Sequence, residues 1–395
     1  MDDALGALRI LDFSRVLAGP FATMLLGDMG ADVLKVERPG HGDDTRGWGP
    51  PWDDRDVATY YLSVNRNKRS LAIDLASEAG RDRARELALG ADVLVENFRP
   101  GLLESMGLGY EVLAPANPRL VYCSITGFGR GEGAELPGYD LLVQAVGGLM
   151  SITGEAEAEP QKVGVALVDV LAGLFASVGI LAALRRREAS GRGQRVEVDL
   201  LTVLLASLVN QASGFTAGGA VPRRMGNRHP SIAPYEVIPC GEGALVLAVG
   251  TDRQFAALCE VLGEPELARD GRFAINASRV ANRVELRELL ERGLASEPAT
   301  TWARQLTEAR VPAGVVNDLA GAFALAESLG LEPVARIRRD DGGEVALPRN
   351  PIRLSESPPT YRAPPPPMPA PEDAGGVDWL DARTDRDESG GAMRS

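Results

Sequence analysis

Histidine is almost missing from this chain: His41 and His229 are the only two in 395 residues. That inventory excludes a His-rich metal centre and any catalysis shared among several imidazoles. Cysteine is nearly as scarce. Cys123, Cys240 and Cys259 are odd in number and far apart, which fits reduced thiols and supplies neither a disulfide framework nor a metal-ligand spacing. No metal site is expected. An excess of positive charge is also lacking, since 42 Lys and Arg oppose 55 Asp and Glu for a net charge of -13. Nucleic acid and anionic membranes are therefore not expected as main partners, because both select concentrated positive charge. The N-terminus has no basic segment followed by an apolar one. The longest apolar run, Lys162 to Leu184, is interrupted by Asp169 and by glycines, so neither a signal peptide nor a membrane span is expected and the cytoplasm is the default compartment. Carboxylates, backbone amides and basic side chains are left to carry the chemistry.

The first half alternates short apolar strands with helical patterns: LRILDFS, PFATMLLGDMG, ADVLKVE, then SLAIDL, SEAGRDRARELALG, ADVLVEN and LVYCSITG. This is βαβ order and predicts an α/β fold with a Rossmann-like, doubly wound parallel sheet. In such sheets ligands bind beyond the carboxyl ends of the strands, where Glu37-Arg38 and Glu96-Asn97-Phe98-Arg99 stand. Asn65, Lys68 and Arg69 add charge suited to phosphate. No GxGxxG follows the first strand, and GFGRGEG lacks phosphate-cradling spacing, so nicotinamide or flavin binding is not supported.

The second half changes character. A hairpin is predicted around Cys240-Gly241-Glu242-Gly243, followed by three helical patterns and a strand at VPAGVV. Residues 1–214 are expected to form the large Rossmann-like domain, 215–325 a smaller α+β domain, and 326–362 a segment returning to the large one. Residues 363–395, proline-rich and then polar, are expected to be disordered.

Asp169 falls in the first turn of a helix whose apolar residues Leu171, Leu174, Val178 and Leu181 recur at three- and four-residue steps. An acid there caps a helix by accepting amide hydrogen bonds. The same amides would keep a partly buried carboxylate ionised, as a nucleophile requires.

Several ordered segments together decide between those roles. RILDFSRVLAGPFATMLLGDMGADVLKVERPG, YYLSVNRNKRSLAIDL, ENFRPG, GYDLLVQAVGGLMSITG and KVGVALVDVLAGLFA resemble the class III coenzyme A transferases, the CaiB/BaiF type that includes formyl-CoA transferase, carnitine CoA-transferase and α-methylacyl-CoA racemase. The resemblance implies a large and a small domain in an interlocked homodimer, an acyl-CoA and a small carboxylic acid as substrates, and no permanently bound cofactor. It implies that Asp169 is the nucleophile, passing through aspartyl anhydride and enzyme–CoA thioester intermediates. Helix-start amides and the glycine-rich backbone would support the oxyanion.

By the same resemblance, CoA contacts fall on Val16, Ala18, Arg38, the strand from Leu71 through Asp74 to Leu75, Asn97, Phe98, Arg99 and Tyr139. Phe128, Gln144, Asn227 and His229 are expected in the substrate pocket. The loop MGNRHPSIAPYEV resembles that of dicarboxylate-type members and points to succinyl-CoA as donor and a dicarboxylic acid as acceptor. Two alternatives stay open: an acyl-CoA racemase, and a CoA-binding protein without turnover.

Overall fold

The computed structural model describes residues 3–370. The expectation of disorder beyond 370 lies outside the described residues.

Six parallel strands, β1 (Arg9–Asp12), β2 (Asp32–Glu37), β3 (Lys68–Ala72), β4 (Val93–Glu96), β5 (Val121–Thr126) and β6 (Arg195–Asp199), form one sheet in the order β3-β2-β1-β4-β5-β6. Helices cover it: α1 (Ala18–Asp28), α2 (Thr59–Ser63), α3 (Glu78–Gly90), α4 (Leu102–Ser105), α5 (Tyr110–Ala116) and α6 (Asp140–Val146). A parallel sheet is buried on both faces, which is why RILD, VLVE and VYCSIT read as near-continuous buried runs. The strand order reverses between β1 and β4. Their two exits, Phe13–Leu17 and Asn97–Gly101, therefore diverge and leave a crevice at the switch point.

The described residues form two compact units, one of residues 3–147, 163–216 and 332–370, the other of 148–162 and 217–331. The sequence reading placed 148–162 in the large domain. Gly148, at φ +88°, turns the chain away after α6, and the short α7 (Leu149–Ile152) opens the excursion. The Gly154 carbonyl then accepts from the Gly226 N–H at 3.0 Å, and Arg224 donates to the carbonyls of Glu155 and Ala158. These local bonds join the segment to the second unit.

The long helix α8 (Leu167–Ser190) departs from the expected pattern. The middle of its buried face is made mostly of small residues, Ala172, Gly173, Ala176, Ser177 and Ala183, with Ile180 among them. Of the predicted stripe, Leu174 and Val178 point outward, 42% and 65% exposed, beside Phe175 at 46%, while Leu171 and Leu181 are half-buried. Close approach to α1 explains the choice. A Cβ on Gly173 would stand 2.6 Å from the Ala18 carbonyl oxygen, so only the small-residue side admits the neighbour. By length and composition α8 could cross a membrane, yet here it packs against α1, β5 and β6. Two short helices, α9 (Leu200–Ser207) and α10 (Val209–Thr216), follow β6.

In the second unit, β7 (Tyr235–Pro239), β8 (Ala244–Ala248) and β9 (Ala313–Val315) form an antiparallel sheet, with Cys240–Gly243 as the predicted hairpin turn. Phe255, Leu258, Phe273, Leu290 and Trp302 fill its core. The proline-rich segment up to residue 370 is docked, not free. Ala363 exchanges backbone and side-chain bonds with Asn67, and the Pro366 and Pro367 carbonyls accept from Arg46.

Candidate active site

The two diverging exits are tied together side by side. Asn97 accepts the Arg15 N–H through Oδ1 and donates Nδ2 to the Arg15 carbonyl, both at 2.8 Å. The Arg15 guanidinium lies 5.0 Å from the centre of the Phe98 ring. Next in the chain, Val16 has φ +66°, a left-handed backbone that costs a β-branched residue about 1–3 kcal/mol. Asp43 holds it there, accepting the Val16 N–H at 3.3 Å while bonding the Lys35 ammonium at 2.8 Å. Burial alone would lower the Lys35 ammonium, but the carboxylates of Asp43, Asp12 and Glu37 hold it above its ordinary range. A neighbouring buried pair, Lys68 and Asp12 at 3.1 Å, completes this charged layer under the loop.

Two cavities open beside these loops and share Arg15 and Phe98 in their walls. The smaller, of about 190 Å³, is bounded by Arg38, Asp74, Leu75 and Lys35. The larger, of about 440 Å³, is bounded by Val16, Ala18, Asn97, Arg99, Gly127-Phe128-Gly129, Tyr139 and Asp169.

Asp169 is the acid of the larger cavity that burial perturbs most. Removal from water, and then the nearby charge of Asp140, push its carboxyl up to about 7. Among the described residues no hydrogen bond reaches its side chain. The amides expected to serve it are taken: Asp140 Oδ2 accepts the N–H groups of Val168 and Asp169 at 2.7 and 3.1 Å. The expectation that helix-start amides support Asp169 or an oxyanion is corrected by this cap. Tyr60 is half-buried against Trp48, ring centres 5.3 Å apart. Burial and then the charges of Asp169, Asp140 and Asp43 raise its phenol to about 12, so it is a protonated donor at neutral pH.

A carboxylate without hydrogen bonds in a cavity at a Rossmann switch point suits covalent catalysis on an acyl group. The family model described as CoA-transferase family III matches residues 5–370. The chain belongs to CoA-transferase family III. Its relatives include a succinate–glutarate CoA-transferase of Agrobacterium fabrum, 43% identical and covering 92% of each chain. A succinyl-CoA:glutarate CoA-transferase of Mus musculus is 42% identical over 92% of this chain and 83% of the relative. Among solved structures, a CAIB/BAIF family protein from Brucella suis superimposes with a TM-score of 0.83 at 41% identity, covering 95% and 98% of the two chains.

In this transferase the sequence-predicted residues divide into four groups. Arg38, Asp74, Leu75 and Phe98 bound the smaller cavity, and Val16, Ala18, Asn97, Phe98, Arg99, Tyr139, Phe128 and Asp169 the larger. Leu71 bounds neither, being 1% exposed in the core between sheet and α3. Gln144 is equally buried and is bonded to Asp140 instead of facing the cavity. Asn227 lies in the second unit, in a polar cavity with Arg228 and Arg287; His229 accepts the Ser231 N–H nearby.

Lys68 and Arg69 are not free for phosphate. Lys68 is engaged by Asp12, and Arg69 pairs with Asp32 at 2.6 Å. Arg15, Lys35, Asp43, Tyr60 and Asp140 were not foreseen. Only Asp140 carried a local signal, as an acid opening the helical pattern DLLVQAV.

Proposed function

We propose that the transferase moves CoA from a dicarboxylic acyl-CoA, with succinyl-CoA as the leading donor, to a second dicarboxylic acid, and that Asp169 is its nucleophile. The observation carrying the mechanism is the uncapped Asp169 carboxylate in the wall of the larger cavity. The relatives' substrates support the choice of donor and acceptor.

Asp169 attacks the thioester carbonyl carbon, the C–S bond breaks, and CoA thiolate leaves a mixed anhydride. The thiolate then attacks the Asp169 carbonyl, releasing the donor acid and forming an enzyme–CoA thioester. The acceptor carboxylate displaces CoA in turn. Thiolate attack on the acceptor's carbonyl in the new anhydride releases product and restores Asp169. Each acylation removes the negative charge that Asp140 repels, so burial that disfavours the free carboxylate favours the covalent forms. Phe128 and Tyr139 wall the cavity and limit water, which would hydrolyse the anhydride.

In this reading Arg38, Asp74 and Leu75 receive the nucleotide end of CoA, while Val16, Ala18, Asn97 and Arg99 receive the part nearer the thioester. Asn227 and His229 serve the acid substrate. The working form is a homodimer in the cytoplasm with no permanent cofactor and no membrane attachment, its interface including the exposed Leu174, Phe175 and Val178 of α8.

The test is incubation with succinyl-CoA and a panel of dicarboxylic acids, followed by mass spectrometry of thioesters and of the Asp169 peptide. New acyl-CoA and a CoA adduct on Asp169 are expected. A panel without any new thioester overturns the assignment of donor and acceptor.

A further inference from the structure

We propose that Asp140 is a positioning residue for transfer: its carboxylate occupies the two backbone amides at the start of α8, so that Asp169 meets the cavity without capping its own helix. The inference rests on Asp169 being the nucleophile.

The start of α8 needs an acceptor from elsewhere. Its N-cap residue, Ala166, has no side-chain acceptor, and the first amides of a helix have no intrahelical partner. Leu167 donates to the Val165 carbonyl and Val170 to the Ala166 carbonyl. Val168 and Asp169 are left, and an aspartate in the first turn is a ready acceptor for such amides. A carboxylate tied by two N–H groups has its charge stabilised and is a poorer nucleophile. Asp140 removes that option by accepting both amides itself.

Asp140 is in turn fixed. Gln144, one turn later on α6, donates Nε2 to Asp140 Oδ1 while its Oε1 accepts the Val163 N–H at 2.9 Å. Reversing the Gln144 amide would break both bonds, so its orientation follows from the network. The chain Val163, Gln144, Asp140, Val168–Asp169 thus locks the approach to α8 and the acid beside it.

After burial itself, Asp140 is the charge that acts on Asp169. From α2, Tyr60 feels the charge of Asp169 and stays a protonated phenol. From α1 and α9 the larger cavity receives the uncharged Ala18 and Leu200. β5 has no charged side chain; on β6, Arg195 pairs with Glu197 at 3.1 Å, and Asp199 caps α9. Arg15, Asp44, Arg99 and Glu135 complete the charges around the cavity, Arg15 pairing with Asp44 and Arg99 with Glu135.

The test is the pH profile of kcat/KM with succinyl-CoA for Asp140→Asn and Gln144→Ala, alongside Asp169→Asn, each checked for folding by circular dichroism. Asp140→Asn, nearly isosteric but uncharged, should move the profile at least one pH unit to the acid side. Its kcat on the alkaline plateau should fall about tenfold or more, with KM changed less than about threefold. Gln144→Ala should shift both in the same directions by less, and it decides the matter if Asp140→Asn does not fold. Active Asp169→Asn would overturn the nucleophile itself. Inactive Asp169→Asn together with an unshifted profile and normal kcat in a folded Asp140 or Gln144 variant would overturn the positioning role alone.

Discussion

Asn97 and Arg15 exchange two hydrogen bonds of 2.8 Å between the side chain of one and the backbone of the other, and so join the exits of β4 and β1 across the switch point. The bond pair fixes the loop that carries Val16 and sets the Arg15 guanidinium against Phe98. Asn97→Ala removes both bonds, each of about 1 kcal/mol net. Its affinity for CoA and acyl-CoA should drop roughly tenfold with the fold retained, as read by calorimetric titration. Unchanged affinity would show that this tie does not shape the CoA site.

Asp169→Asn should abolish transfer by several orders of magnitude while leaving CoA affinity near normal, since an amide of the same shape cannot form the anhydride. It should also stabilise the protein. The Asp169 carboxyl lies at about 7, above its ordinary 3.8; the folded state therefore keeps a proton that the unfolded chain releases, and stability falls as pH rises from about 4 to 7. Three units amount to roughly 4 kcal/mol at most. Melting curves at pH 5 and pH 8 should show a larger gain for the variant at pH 8.

The same raised carboxyl sets the pH dependence of the wild-type enzyme. Attack needs the anion, so kcat/KM for the donor should rise with unit slope below about pH 7 and level off above it. A flat profile from pH 5 to 8 would mean that ionisation of Asp169 does not govern the first step.

Much of this arrangement was legible in the chain, and the rest was hidden for identifiable reasons. Strand runs and the exits carrying Arg38 and Asn97 follow from βαβ order, because a parallel sheet buries both faces and leaves polar residues at its carboxyl edge. The orientation of α8 was not legible. Leu, Phe and Val make the stronger apolar signal, but Gly173 and Ala176 make the closer contact with α1. Equally, Asp140 and Asp169 stand 29 residues apart and meet only because α6 packs on α8. Local spacing reports neither relation.

The outward face of α8 yields a prediction about assembly. Leu174, Phe175 and Val178 expose an apolar strip on a helix whose other side is fully committed. Covered by a second copy, it would tolerate no charge. If the proposed homodimer forms through this strip, the wild-type chain should stay dimeric on dilution and Val178→Glu should give monomers of reduced stability in sedimentation at micromolar concentration. A monomeric wild-type protein would remove the homodimer from the proposal.

The final prediction separates transfer from racemisation. Racemisation exchanges the α-proton and needs a base and an acid on opposite faces of that carbon. The glycine loop after β5 brings Gly127-Phe128-Gly129 to the cavity of Asp169, and Phe128 cannot carry a proton. Neither histidine is among the residues that bound this cavity. Tyr60, with its phenol raised to about 12, holds its proton at neutral pH and is a poor base. Asp169 therefore meets no proton-carrying side chain in the Gly127-Phe128-Gly129 loop and no histidine among the residues that bound the cavity. Incubation with a 2-methylacyl-CoA in deuterated water should give no α-deuterium above the uncatalysed rate, while CoA transfer to an added dicarboxylic acid is detected under the same conditions. Rapid exchange without any acceptor acid would reverse the assignment, because the thioester would then be activated at its α-carbon instead of at its carbonyl.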